Sequence, residues 1–149
     1  MIIYLGSDSR GHYLKEKVFA YLSKRDYKVR EVGTTEQETE NDYAQIAHLT
    51  ALKVIGSESK DARGILISGS GQGLAMTANR FAGIRATIAW DAYEAKISRD
   101  ETNSNILCLP SREYEDNPEA WQGVIETWLA TPFSKATRFK RQISQMDEF

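Results

Sequence analysis

From Ser68 to Gly73 the chain reads Ser-Gly-Ser-Gly-Gln-Gly, with glycines at positions 69, 71 and 73 between an apolar run, 64–68, and a helical pattern, 74–81. Glycine lets the backbone take a positive φ and come close to a ligand. A helix that opens straight out of such a loop presents unpaired N–H groups and the positive end of its dipole. The product is an anion cradle, for a phosphate or for an oxyanion formed during reaction. Ser68 and Ser70 stand at its mouth, with Gln72 between the last two glycines. No Gly-Lys-Ser/Thr follows, so the loop is not a P-loop. Asp91 lies about 20 residues on, where a dinucleotide site would carry its ribose-binding acid, but the glycine spacing departs from that fingerprint.

Carboxylates accompany the loop: Asp8 in GSDSRGH, Asp42 before Tyr43, and Glu101 in SRDETNSN. If they converge on one set of strand ends, partial desolvation beside like charges raises a carboxyl pKa toward the range useful for proton transfer. The plainer reading of each is a solvated acid or a helix cap. His12, at the start of the first helix, is read equally as an anion ligand or a surface residue, and His48 as an ordinary helix histidine. Cys108, inside an apolar strand, reads as a small core residue. Trp121 and Trp128 share one helix face, which favours packing, within the chain or between subunits. Lys135, Arg138, Lys140 and Arg141 make the last helix basic.

The elements that must position these residues alternate along the chain. Strands are predicted at 2–6, 28–33, 64–68, 85–90 and 105–109. Helical patterns follow them: one with Leu14, Val18, Phe19 and Leu22, one from Tyr43 to Ile55, then 74–81, 92–98, 118–130 and 134–146. The stretch 34–42 is polar and turn-prone. Such alternation predicts an α/β fold, a five-stranded parallel sheet with helices on both faces, and ligands at the carboxyl ends of the strands.

The 149 residues suit a single domain, 1–149, and a net charge of −2 without a long basic run offers nothing to nucleic acid or an anionic membrane. Hydrophobic content of 41% and charged content of 27% are ordinary for a globular chain, and no apolar stretch reaches the length of a membrane span. The opening MIIYLGSD reads as a first strand, not a signal peptide, and the single cysteine fits a reducing cytoplasm.

The segments GSDSRGHYLK, NDYAQIA, ILISGSGQGLAMTANRFAGIRA, SRDETNSNIL and LPSR, in this order and spacing, resemble the ribose-5-phosphate isomerase B / galactose-6-phosphate isomerase family over nearly the whole chain. The resemblance implies a Rossmann-like three-layer sandwich. It implies interconversion of aldose and ketose phosphates through a cis-enediolate, without metal or organic cofactor, at sites between the subunits of a homodimer or homotetramer. It also implies that the C-terminal helix, 134–146, contributes to the dimer. The family's cysteine base falls at Ser68, the glutamate that serves other members at Leu74, the ring-opening histidine at Glu101, and the histidine after the first-strand aspartate at Ser9. The catalytic set implied here is therefore Ser68, Ser70 and Glu101. Substrate binding falls to Asp8, Ser9, Asp42, Tyr43, Gly69, Gly71, Gln72, Gly73, Asn79, Thr102, Arg112 and Arg138, with Arg112 and Arg138 on the phosphate. A serine hydroxyl is a poor base toward carbon unless activated, so a carboxylate is favoured, with Glu101 as the acid–base group. The substrate is a tetrose, pentose or hexose phosphate. The alternatives are a non-catalytic sugar-phosphate binder, or one subunit of a hetero-oligomeric isomerase.

Overall fold

The computed structural model describes residues 1–33 and 42–148. Strands β1 (Ile2–Ser7), β2 (Val29–Glu31), β3 (Ala62–Ser68), β4 (Ala86–Ile88) and β5 (Ile106–Pro110) form one parallel sheet in the order β2-β1-β3-β5-β4. The helices are α1 (His12–Ser23), α2 (Tyr43–Ile55), α3 (Gln72–Ala78), α4 (Ala92–Thr102), α5 (Ser111–Tyr114), α6 (Pro118–Ala130) and α7 (Thr137–Met146). A 3-10 turn, Ser9–Gly11, leads into α1. The α/β class and the five strands agree with the sequence reading. Of the predicted turn 34–42, only Asp42 lies within the described residues. Helix α5 was not anticipated, because four residues carry no periodicity to read.

Strand alternation divides the core between two faces. Ile3, Leu5, Ile65, Ile67, Leu107 and Leu109 face α1 and α6, while Ile2, Tyr4, Leu66, Ile106 and Cys108 face α2 and α3. Trp121 and Trp128 belong to the first of these clusters, and Trp128 Nε1 donates to Ser104 Oγ at 2.8 Å. Their packing is therefore within the chain, which sets aside the idea that they form a subunit contact. Cys108 is fully buried, and burial pushes its thiol pKa up, as suits a core residue. Asp91 accepts from the Glu94 N–H at 2.8 Å and caps α4, which accounts for it without a ribose. Among the described residues no helix is long and apolar enough to cross a membrane.

A parallel sheet has two distinct edges, one where every strand begins and one where every strand ends. Register fixes them here: Gly64 pairs with Ile106 and Ser68 with Pro110. Asp8, the loop 69–73 and Arg112 follow their strands and lie at the carboxyl edge. Residues 101–105 precede β5 and lie at the amino edge. At about 3.3 Å per residue, the length of β5 separates the two sets by roughly 13 Å. Within one chain, Asp8 and Glu101 therefore do not converge, contrary to the expectation from sequence.

Candidate active site

The carboxyl edge carries the glycine loop. Gly71 has φ +75°, the left-handed conformation that favours glycine, and it turns the chain into α3 at Gln72, two residues before the apolar pattern resumes. A Cβ on Gly73 would lie 2.5 Å from the Tyr43 ring, so this glycine lets the aromatic side chain lie on the loop. The serines brace the turn. Gly71 N–H donates to Ser68 Oγ at 3.0 Å, and Gln72 N–H donates to Ser70 Oγ at 3.3 Å. Both hydroxyl oxygens thus accept from the backbone, which leaves each hydroxyl proton to be donated to a ligand. Ser68 is buried, Ser70 half-buried and Gln72 exposed. Leu74 is fully buried in the core, so the loop has no acid following it.

Asp8 stands at the end of β1, beside the loop. Its carboxylate accepts the Gly11 N–H at 3.0 Å, capping the 3-10 turn, and its own N–H donates to Ile67 O at 3.2 Å. Burial raises its pKa above 3.8, against the opposing pull of the Gly11 and Arg10 amides and the Arg10 charge. The ionised carboxylate therefore costs folding free energy at neutral pH. The stability associated with the protonated form is fully present below 3.8 and lost as pH rises through the higher folded value. Asn is as good a cap as Asp. Asp8→Asn is expected to raise the thermal midpoint at pH 7, with the gain vanishing below pH 3.8, as thermal melts over a pH series would read. A lower midpoint at pH 7 would mean that the charge stabilises the fold. Ser9, Asp42 and Tyr43 are exposed at the same edge, and Arg112, whose N–H donates to Gly69 O at 3.2 Å, leans over Gly69.

The other expected site residues gather at the amino edge. Thr102 Oγ1 donates to Ser98 O at 2.6 Å in the last turn of α4, next to the half-buried Glu101. Asn79 brackets Ala86, donating to its carbonyl at 2.9 Å and accepting its N–H at 2.7 Å. Asn105 does the same for the preceding turn, accepting Arg85 N–H and donating to Gly83 O, each at 2.8 Å. Asn79, which the resemblance implies as a substrate ligand, thus has its amide engaged with the backbone of the edge strand. Arg138 is exposed on α7, which starts beside Asp100 (Ser134 N–H to Asp100 O, 3.1 Å) and ends where Asp147 accepts Gly83 N–H at 2.8 Å. A cavity of about 470 Å³ between α7 and the start of β4 is lined in part by Asn79, Arg85, Thr102 and Asp147.

The expected residues thus fall into two groups: Asp8, Ser9, Asp42, Tyr43, the loop 68–73 and Arg112 at one edge, and Asn79, Glu101, Thr102 and Arg138 at the other. One residue of the first group escaped sequence reading, Arg10, whose side chain meets the glycine loop beside Arg112. Nothing in its spacing marks it, since only the fold brings residue 10 against residue 69.

The same edge also exposes apolar groups. Tyr43 is 49% exposed, Trp90 at the end of β4 is 52% and Tyr93 at the start of α4 is 67%.

Comparison with known proteins bears on this arrangement. The family profile described as Ribose/Galactose Isomerase matches residues 3–146. Ribose-5-phosphate isomerase B of Escherichia coli is 36% identical over 131 residues, covering 88% of this chain and 85% of its own. The crystal structure of a ribose 5-phosphate isomerase from Thermotoga maritima superposes with a TM-score of 0.92 at 35% identity, over 99% of this chain and 98% of that one. Ribose-5-phosphate isomerase B of Mycoplasma genitalium, solved with bound ribulose 5-phosphate, has a TM-score of 0.90 at 29% identity, over 99% and 94% of the two chains. A profile match that spans nearly the whole chain, with relatives alike in sequence, length and fold, places this chain in the ribose/galactose isomerase family.

Proposed function

We propose that this chain interconverts the aldose and ketose forms of a phosphorylated pentose, ribose 5-phosphate and ribulose 5-phosphate, at a site built from two copies of itself. The observation that carries the two-copy reading is the division of the site residues between opposite sheet edges of a chain in this family. One copy supplies the anion cradle, Asp8 and Arg112. The other supplies Glu101, Thr102 and Arg138. A homodimer has two such sites, each made of one carboxyl edge and one amino edge, and a homotetramer is a pair of these dimers. The exposed aromatics beside the loop are then covered by the second copy. The lone buried cysteine suits a cytoplasmic enzyme.

The reaction moves a proton between adjacent carbons through a cis-enediolate. It needs a group to carry the proton, donors for the enediolate oxygen and a grip on the phosphate. The Ser68 and Ser70 hydroxyls, with their oxygens already accepting loop amides, donate to the developing oxyanion along with the remaining loop backbone. Asp8 accepts from substrate hydroxyls. Ser9, Asp42, Tyr43 and Gln72 line the approach. Glu101 carries the proton. Arg112 and the second copy's Arg138 hold the phosphate. These roles call for no metal or organic cofactor.

Ser68 also favours a second reading, a sugar-phosphate binder without turnover. It stands at the family's base position, yet its oxygen is engaged with Gly71. One experiment separates the two. In heavy water, NMR over tetrose, pentose and hexose phosphates reads proton exchange at the carbon beside the carbonyl. Exchange and isomerisation, strongest with ribose 5-phosphate, are expected. Binding without exchange would select the second reading. Arg138→Ala removes a charge-assisted pair and is expected to raise KM by roughly 10- to 100-fold. An unchanged KM would remove Arg138 from the phosphate.

A further inference from the structure

We infer that Arg10 is a phosphate-binding residue, paired with Arg112 of the same chain to form a two-guanidinium anion site in front of the glycine loop. The inference rests on the proposed isomerase reading for the identity of the phosphate ester, and on geometry for the site itself. The position a Cβ would occupy on Gly69 lies 3.6 Å from Arg10 Cδ, 3.5 Å from Arg112 Nε and 3.6 Å from Arg112 Nη2. Both side chains therefore reach the same glycine.

Both are fixed at their bases. Arg112 N–H donates to Gly69 O at 3.2 Å, and Ser111 Oγ donates to Arg10 O at 3.2 Å, so the first loop, the glycine loop and the end of β5 are tied together. Neither guanidinium is in an ion pair among the described residues. Asp8 feels the Arg10 charge, but its carboxylate is occupied with the Gly11 amide. An anion in front of this glycine is attracted by both charges and accepts paired N–H donors from each fork. A phosphate monoester, with charge near −2 and three acceptor oxygens, matches this arrangement better than a carboxylate. Asp8 stands next to Arg10 in the first loop, so a sugar whose phosphate sits between Arg10 and Arg112 extends along the same edge toward Asp8 and the cradle.

The test uses the full-length protein and inorganic phosphate as the probe, titrated by calorimetry, alongside steady-state kinetics on ribose 5-phosphate. Arg10 is exposed, so Arg10→Ala leaves the core untouched. Arg10→Ala is expected to weaken inorganic phosphate binding and to raise KM by a similar factor, roughly 10- to 100-fold, with a smaller effect on kcat. Arg10→Lys, which keeps the charge and loses the fork, should recover part of both. Unchanged phosphate affinity and KM in Arg10→Ala would overturn the inference. A loss of phosphate affinity with unchanged KM would also overturn it, by placing the anion site outside the substrate pocket. If wild type binds phosphate through Arg10 but exchanges no proton with any sugar phosphate, the anion site stands and the isomerase reading falls.

Discussion

Glu101→Gln is expected to lower turnover by about 10²–10⁴ and to leave substrate affinity largely in place if Glu101 carries the proton as proposed, because an amide keeps the size and polarity of the side chain but cannot carry a proton. The other groups that could carry it are committed elsewhere. Ser68 Oγ accepts the Gly71 N–H and is better placed to donate than to abstract. Asp8 accepts the Gly11 N–H and feels the charge of Arg10. Among the described residues, the Glu101 carboxylate has no hydrogen bond or ion pair within its own chain, and it is half-buried at the edge where the proposed second copy would meet it. A carboxylate with no partner in its own chain is available to take a proton from carbon and return it. Separate measurement of kcat and KM checks the claim. A fully active Glu101→Gln beside an inactive Ser68→Ala would make the serine the working residue.

The fold was legible because its signals are local. A buried parallel strand is a short apolar run and a covering helix repeats at 3.6 residues, so β1, β3, β5 and α6 could be read directly. β4, an edge strand of three residues, was read too long on both sides. The turn from β3 into α3 is legible for the same reason, since glycine spacing and flanking serines sit in one short stretch. What was misread was spatial. Asp8, Asp42 and Glu101 are read as able to converge on one set of strand ends, but 101–105 precedes β5, and in a parallel sheet that decides the edge. Asn79 enters as a ligand through the family resemblance, while its pairing with the backbone of Ala86, seven residues on, carries no side-chain signal in the sequence. Arg10 was passed over because residue 69 gives meaning to residue 10 only after β1 and β3 pair, Ser7 opposite Ile67.

Mixing two inactive variants is expected to restore about a quarter of wild-type activity, provided the site is shared between copies as proposed. Gly71→Val disables the carboxyl-edge half. With φ at +75°, a β-branched residue cannot hold the turn, although a Cβ there would have room, 3.5 Å from the Cys108 Cβ. The loop must rearrange while the sheet beneath it stays, so the variant folds and loses the cradle. Glu101→Gln disables the amino-edge half. In a mixed dimer, one site takes the good cradle from one chain and the good glutamate from the other, while its twin collects both defects. Random exchange makes half the dimers mixed, each with one working site of two, which gives the quarter. The assay is activity after unfolding and refolding the variants together, against each refolded alone. Normal turnover of folded Gly71→Val alone would remove the cradle from the mechanism. No recovery on mixing, with heterodimers demonstrated by a tagged chain, would place the whole site within one chain and break the link between the divided residues and the dimer.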